Sequence, residues 1–263
     1  MSDPVIRFFV GIFVAMNLLL TPAALLLGFE DAPWTQIVLL TPAIAALLAG
    51  YRFQLSLSDM GLQLGNPVHL LIGFGGVALY AGLTVLLGTE TGFIAFEPGW
   101  SHMRFLEALL LQGLAVESLF WALGEEMGWR GLLSERLRKR AGAGVALGGV
   151  WALWFTWHLA PMLTFGATFA ELACFALLLL ALAAFLNSLR HRSGSVFPAV
   201  LAHTAHNQLV EEITGVATHP TSETVWTGEM GMGTAIVACL VVAGALTLSN
   251  RWSDANESGE KTC

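Results

Sequence analysis

The chain has 263 residues, 56% of them hydrophobic and 12% charged, with a formal net charge of -7. A soluble domain carries about 25% charged residues, so this is the composition of an integral membrane protein. The balance offers no basic patch as a phosphate-binding footprint, which excludes nucleic acid as a partner.

Apolar stretches of roughly 20 residues match the helix length that crosses about 30 Å of hydrocarbon, and the alternation of a membrane barrel is missing. The expected fold is therefore an all-α, polytopic helical bundle. Cys174 and Cys239 lie in apolar segments and Cys263 ends the chain, a spacing that gives neither a disulfide framework nor a zinc ribbon. Cys263 stands last, not fourth from the end, so the chain's own terminus is not a prenylation box.

In chain order, the first span runs from Val5 to Leu27 and is too long for the apolar core of a secretion signal. The second runs from about Trp34 to Gly50. Both contain Leu-Leu-Thr-Pro, at Leu19–Pro22 and Leu39–Pro42, where proline frees a backbone carbonyl and should kink each helix. Tyr51–Asn66 is too polar to span and reads as a partly amphipathic segment along the interface. The third span, Pro67–Gly88, leads into an acidic loop with Glu90 and Glu97. The fourth helix extends from Met103 to about Arg140, long enough for its basic last turns to protrude. After a break at Ala141–Gly144, the fifth span ends near His158 or Pro161, the sixth covers Phe169–Leu189 and the seventh Val196–Ile213. An acidic loop with Glu223 and Glu229 precedes an eighth span, Met230–Leu248, and the polar tail from Ser249 reads as disordered.

Residues 1–250 thus form a single membrane-embedded domain, with 251–263 as its tail. With eight spans, ten of the twelve basic residues fall on the side of both termini, which places the termini in the cytosol. The expected location is a multi-pass position in a prokaryotic cell membrane.

Gly124-Glu125-Glu126-Met127-Gly128-Trp129-Arg130 closes a long apolar run with two carboxylates and a guanidinium. Each charge near hydrocarbon costs about 2.5 to 3.5 kcal/mol, so the cluster marks a functional site. On a helix Glu126 and Arg130 share a face and can pair, while Glu125 is turned about 100° away and left free for chemistry. Glu125 and His158 are nearly equidistant from the 141–144 turn, which in a helical hairpin puts them at one depth. His203 and Asn207, four residues apart on the seventh span, share a face. Three helices can thus deliver a carboxylate, two imidazoles and an amide to one cavity.

These residues resemble the CAAX prenyl endopeptidase and bacteriocin-processing (abortive-infection) family of intramembrane proteases. Its Glu-Glu-x-x-x-Arg motif is met by Glu125, Glu126 and Arg130, and its His-x-x-x-Asn motif by His203 and Asn207. Its Phe-x-x-x-His motif is met by His158, with Trp154 in place of phenylalanine, a change that keeps an aromatic wall. The resemblance extends over about Leu57–Ile213 and implies peptide-bond hydrolysis. A carboxylate partly withdrawn from water is suited to act as a general base, a role assigned to Glu125, with His158 polarising the water. His203 and Asn207 are suited to the oxyanion, where one lost donor costs about 10²–10³ in rate. Glu126 paired with Arg130 would set the helix rotation, with Trp154 in support.

The resemblance implies peptide or lipidated-protein substrates, of CAAX or peptide-maturation type, met in the lipid bilayer, and leaves oligomeric state open. It requires no cofactor. A zinc reading would use Glu125, His158 and His203 as ligands, but no His-Glu-x-x-His pair is present and Asn207 is a poor zinc ligand. Two other classes use such residues: a proton-coupled transporter, and a silent immunity or scaffold protein. His206 lies near the site face and reads as a packing or substrate contact. Glu211 and Glu212 read as exposed, His69, His102, His191 and His219 as solvated, and Glu107, Glu117 and Glu171 have no assigned partner.

Overall fold

Long apolar helices build the molecule, and the computed structural model describes residues 3–27, 37–96, 120–213, 218–221 and 225–260, with backbone alone for 211–213 and 249–260. Helix α1 (Pro4–Leu27) begins at Asp3, whose Oδ1 accepts from the backbone N–H of Val5 at 2.8 Å, and it continues through Pro22. The second span is interrupted beside its proline, as expected. Residues 37–39 are helical, Leu40 turns, and α2 (Thr41–Phe53) starts afresh with Pro42 in its first turn, where a missing N–H costs no hydrogen bond. Thr41 donates to Val38 O at 2.7 Å and accepts from Asn17 Nδ2 at 3.1 Å. Residues 34–36 of this expected span lie outside the described residues.

The segment expected along the interface is helical only as far as Phe53. Beyond Phe53 the chain turns, and Asp59 Oδ2 accepts from Ser56 N and Oγ at 2.8 and 2.7 Å. Asn66 then caps α3 (Pro67–Glu90), accepting from Val68 N. A short strand, β1 (Ile94–Phe96), pairs antiparallel with β2 (Thr218–Pro220), Ile94 opposite Pro220. This small sheet adds to the all-α expectation, and it ties the loop after the third span to the loop after the seventh.

Helix α4 (residues 120–141) is the described part of the fourth span; residues 103–119 lie outside. It changes its winding three times: π-helical at 120–122, α at Leu123–Glu126, π at Met127–Ser134, α again at Glu135–Ala141. Only Gly142, at φ +86°, makes the turn into α5 (Ala143–Thr164), which carries on through Pro161. Helix α6 (Phe169–Ser193) opens on a capping box in which Thr168 Oγ1 and Glu171 answer each other's backbone N–H groups. Helix α7 (Phe197–His206) continues as a π-helix over Asn207–Ile213. The tail expectation fails for its first part. Helix α8 (Met232–Glu260) runs past Ser249, because extending a helix already nucleated by an apolar segment is far easier than starting one.

Among the described residues four helices are long and apolar enough to cross a membrane, Pro4–Leu26, Val68–Glu90, Ala143–Thr164 and Phe169–Ser193, with a shorter apolar helix at Met232–Leu248. Their outward side chains are apolar too: Leu18 on α1, Leu71 on α3 and Leu240 on α8 are each about 70% exposed or more. A patch of that extent is unsuited to water. The fold is an all-α, polytopic membrane bundle. Helices α3 and α7 pack together, α8 lies against α6 and α3, and α1 against α2. Helix α4 contacts α2, α5, α6 and α7, which places its charged turn at the centre.

Candidate active site

Close packing against α2 fixes the position of α4. A Cβ on Gly128 would stand 2.7 Å from Pro42 Cβ and O, and one on Gly131 would stand 2.6 Å from Met60 O. Trp129, with no exposed surface, meets Phe9, Phe13 and Trp157 edge to face. Only glycine at 128 and 131 lets the helix seat this deeply, and the seating sets where its carboxylates point.

Glu126 has no solvent exposure and joins two helices. Its Oε1 accepts from Arg130 Nη1 at 2.8 Å and from His203 Nδ1, across from α7, at 2.9 Å. The fully buried Arg130 guanidinium lies over the Trp154 ring, 4.2 Å from its centre, so a second neutralising contact comes from α5. Glu125, 6% exposed, points elsewhere and accepts from Trp154 Nε1 at 2.8 Å through Oε2. Trp154 is also edge to face with His203, at 5.3 Å between centres. The indole therefore touches the free carboxylate, the structural arginine and the α7 histidine at once.

His158 sits one turn beyond Trp154, half-buried between Trp157 and Phe175. Its Nδ1 donates to Trp154 O at 2.8 Å, which fixes the tautomer and leaves Nε2 as the available nitrogen. His158 and His203 both lie close enough to Glu125 to interact with its charge. Asn207 is half-buried one turn after His203, where α7 changes to π winding. The direct hydrogen bond to Glu125 comes from Trp154, one turn before His158.

The structure gives His206 its partners and adds two residues to its surroundings, Tyr80 and Glu229. His206, 2% exposed, is bonded on both nitrogens, by the Tyr80 hydroxyl at Nδ1 and by Glu229 Oε1 at Nε2, 3.2 Å away. Glu229 thus leaves its acidic loop and enters the bundle, where it also feels the charges of His158 and His203. Trp226 anchors that loop, stacking on Phe93 and donating to Thr84 O at 2.9 Å. A tyrosine hydroxyl in an apolar span is the one sequence signal for this arrangement. Glu171 finds its role in the α6 capping box, a Thr-x-x-Glu pattern visible in the sequence. His191 is exposed as expected, whereas His69 and His219 are half-buried. Glu107, Glu117 and His102 lie outside the described residues, as do the side chains of Glu211 and Glu212.

Among the described residues no three His, Cys, Asp or Glu side chains are arranged to hold a metal ion. Trp154 takes one Glu125 oxygen, Glu126 accepts from His203 Nδ1 and Trp154 O from His158 Nδ1, bonds that leave the second Glu125 oxygen and both Nε2 atoms as potential ligand atoms.

Residues 107–209 match the family model described as Type II CAAX prenyl endopeptidase Rce1-like. The chain carries an Rce1-like domain. This family is one of membrane proteases, and it agrees with the resemblance carried by the three motifs, all of which fall inside the matched segment. The Rce1-like segment spans α4 to α7, the helices that supply Glu125, Trp154, His158 and His203. No curated protein matches the chain.

Proposed function

We propose that the chain is an intramembrane endopeptidase that uses Glu125 to activate water, the glutamate form of the Rce1-like activity. Glu125 accepts a proton from water, and the resulting hydroxide adds to the scissile carbonyl carbon. His158 holds and polarises that water through Nε2. Asn207 and His203 Nε2 donate to the oxyanion; for His203 this requires the ring to be protonated. As the intermediate collapses, the C–N bond breaks and Glu125 passes its proton to the departing amine. Glu126, Arg130 and Trp154 touch no substrate atom and act as positioning residues.

One observation carries the reading: two adjacent carboxylates are held differently, Glu126 Oε1 accepting from both Arg130 and His203 while Glu125 takes a single indole donor. The arrangement has a structural charge pair and a separate carboxylate beside two imidazoles. The sheet between the loops after α3 and α7 puts both at one end of the bundle, which supports the eight-span path with cytosolic termini. The substrate class we assign is a membrane-presented peptide, CAAX-type or a maturing peptide, in a prokaryotic cell membrane.

The test uses purified protein in nanodiscs with quenched CAAX peptides, farnesylated and not, alongside peptidomics of membranes carrying wild type or Glu125→Gln. Glu125→Gln should abolish hydrolysis, a general base being worth about 10²–10⁴ in rate. Exhaustive chelation should leave turnover intact. Cleavage that survives Glu125→Gln, or stoichiometric zinc with chelator-sensitive turnover, would reject the mechanism.

A further inference from the structure

A second polar site lies at the end of the bundle away from the sheet, assembled from parts that are distant in sequence. The 56–63 turn, the last stretch of α4 and the end of α6 enclose a pocket of about 430 Å³, lined by Asp59, Glu135, Arg136, Arg138, Lys139 and Arg190 among others. The walls are fixed. Val196 N donates to Gly61 O at 3.0 Å and Gln63 Nε2 to Gly194 O at 3.3 Å, fastening the turn to the α6–α7 junction. Gly61 has φ +72°, and a Cβ there would meet the Arg190 guanidinium at 2.6 Å. The turn is built around that guanidinium.

The charges do not balance locally. Arg138 pairs with Glu135 at 2.6 Å, Lys139 reaches the same carboxylate at 3.9 Å, and Arg136 reaches Asp3 at 3.7 Å. Asp59 is bonded by Ser56, which holds its carboxyl below the ordinary carboxylate range, so it stays anionic but occupied. Arg190 is 6% exposed, its buried Nε has no hydrogen-bond partner, and among the described residues no carboxylate is paired with it. Glu135, the counter-charge that Arg190 feels, is already held by Arg138 and Lys139, and a buried guanidinium left without a hydrogen-bonded partner calls for a further anion.

We propose that this pocket binds the phosphate of an anionic phospholipid headgroup, with Arg190 as its anchoring cation. Arg190 lies in the last turn of the membrane-crossing helix Phe169–Ser193, the depth at which headgroup phosphates lie. The planar guanidinium fork suits a phosphate's oxygens, and basic pockets between helices at a membrane face favour such headgroups. In the sequence the same basic residues read only as topological flanks, because no short run of them is long enough to be a phosphate footprint. The fold brings them together.

The experiment places the full chain in phosphatidylcholine nanodiscs and measures retained lipid by native mass spectrometry and the melting temperature by scanning fluorimetry. Phosphatidylglycerol or inorganic phosphate is titrated in separate arms. Wild type should prefer phosphatidylglycerol by at least about ten-fold, the scale of a charge-assisted hydrogen bond, and Arg190→Gln should remove most of that preference. Lys139→Gln, at an exposed position without folding risk, should lower it by about five-fold. Equal retention of both lipids by wild type, or a preference undiminished in both variants, overturns the proposal. Stabilisation by inorganic phosphate equal to that by the lipid overturns the lipid assignment.

Discussion

Replacing Glu126 with alanine should unfold the site more than it changes the chemistry, and the magnitude follows from burial. Glu126 and Arg130 have side chains with no exposed surface, 2.8 Å apart. Removing one partner leaves an uncompensated buried charge, which costs about 3–5 kcal/mol. At about 2–4 °C per kcal/mol for a chain of this size, Glu126→Ala should lower the melting temperature by about 6–20 °C. Removing both charges with apolar groups of similar volume, Glu126→Leu with Arg130→Met, should recover most of that loss, because the desolvation of two ions is removed along with their attraction. Glu125→Gln keeps an acceptor for Trp154 Nε1 and should melt within about 1 kcal/mol of wild type, the scale of one weakened hydrogen bond, while losing turnover. The assay is thermal unfolding in nanodiscs beside hydrolysis in the same preparation. A double variant no more stable than Glu126→Ala, or a Glu125→Gln protein as unstable as Glu126→Ala, would refute the division of labour.

Trp154→Phe restores the usual family residue but deletes the donor to Glu125; kcat should fall about 10- to 100-fold with KM held, as expected for a hydrogen bond to a charged group worth about 1.5–3 kcal/mol. Tyr80→Phe removes the hydroxyl bonded to His206 Nδ1 and should cost about 0.5–1.5 kcal/mol of stability, read from denaturation, with turnover unchanged. Gly128→Ala drives a Cβ to within 2.7 Å of Pro42 and should destabilise by about 1–3 kcal/mol, whereas Gly148→Ala, with open space around it, should not lower the melting temperature. Arg138 holds the Glu135 carboxyl below its ordinary value. A depressed carboxyl contributes stability above its unfolded pKa of about 4.3 and loses it as pH falls through the folded value, so Glu135→Gln should flatten the acid limb of the melting profile.

The spans were legible because hydropathy and helix length suffice to define them: α1, α3, α5 and α6 begin within two residues of their expected starts or at the expected break. The Glu126–Arg130 pair was legible because four-residue spacing is local. Glu229 on His206 was not, since this second partner of His206 comes from a loop whose path no periodicity encodes. The interruption at Thr41-Pro42 was legible because proline lacks the N–H that Val38 O would accept from, and Thr41 supplies the donor instead. The Thr168–Glu171 box was present in the sequence, hidden by the expectation that a carboxylate in a span needs a cation.

Adjacent residues on a helix point about 100° apart, so a Glu-Glu pair buried where several helices meet cannot place both carboxylates in one environment. The surroundings here make that difference chemical. One side of α4 meets Arg130 and His203, whose donors saturate Glu126 Oε1; the other meets α5, where a single indole N–H reaches Glu125. Immediately after this pair the helix relaxes into π winding over Met127–Ser134, and α7 does the same from Asn207, directly after His206. Such winding concentrates at functional sites, and here it adjoins the two carboxylates on α4 and the His203–His206 turn on α7. The tryptophan that departs from the family pattern supplies the donor to Glu125, and this makes Trp154→Phe the variant that connects that departure to the rate.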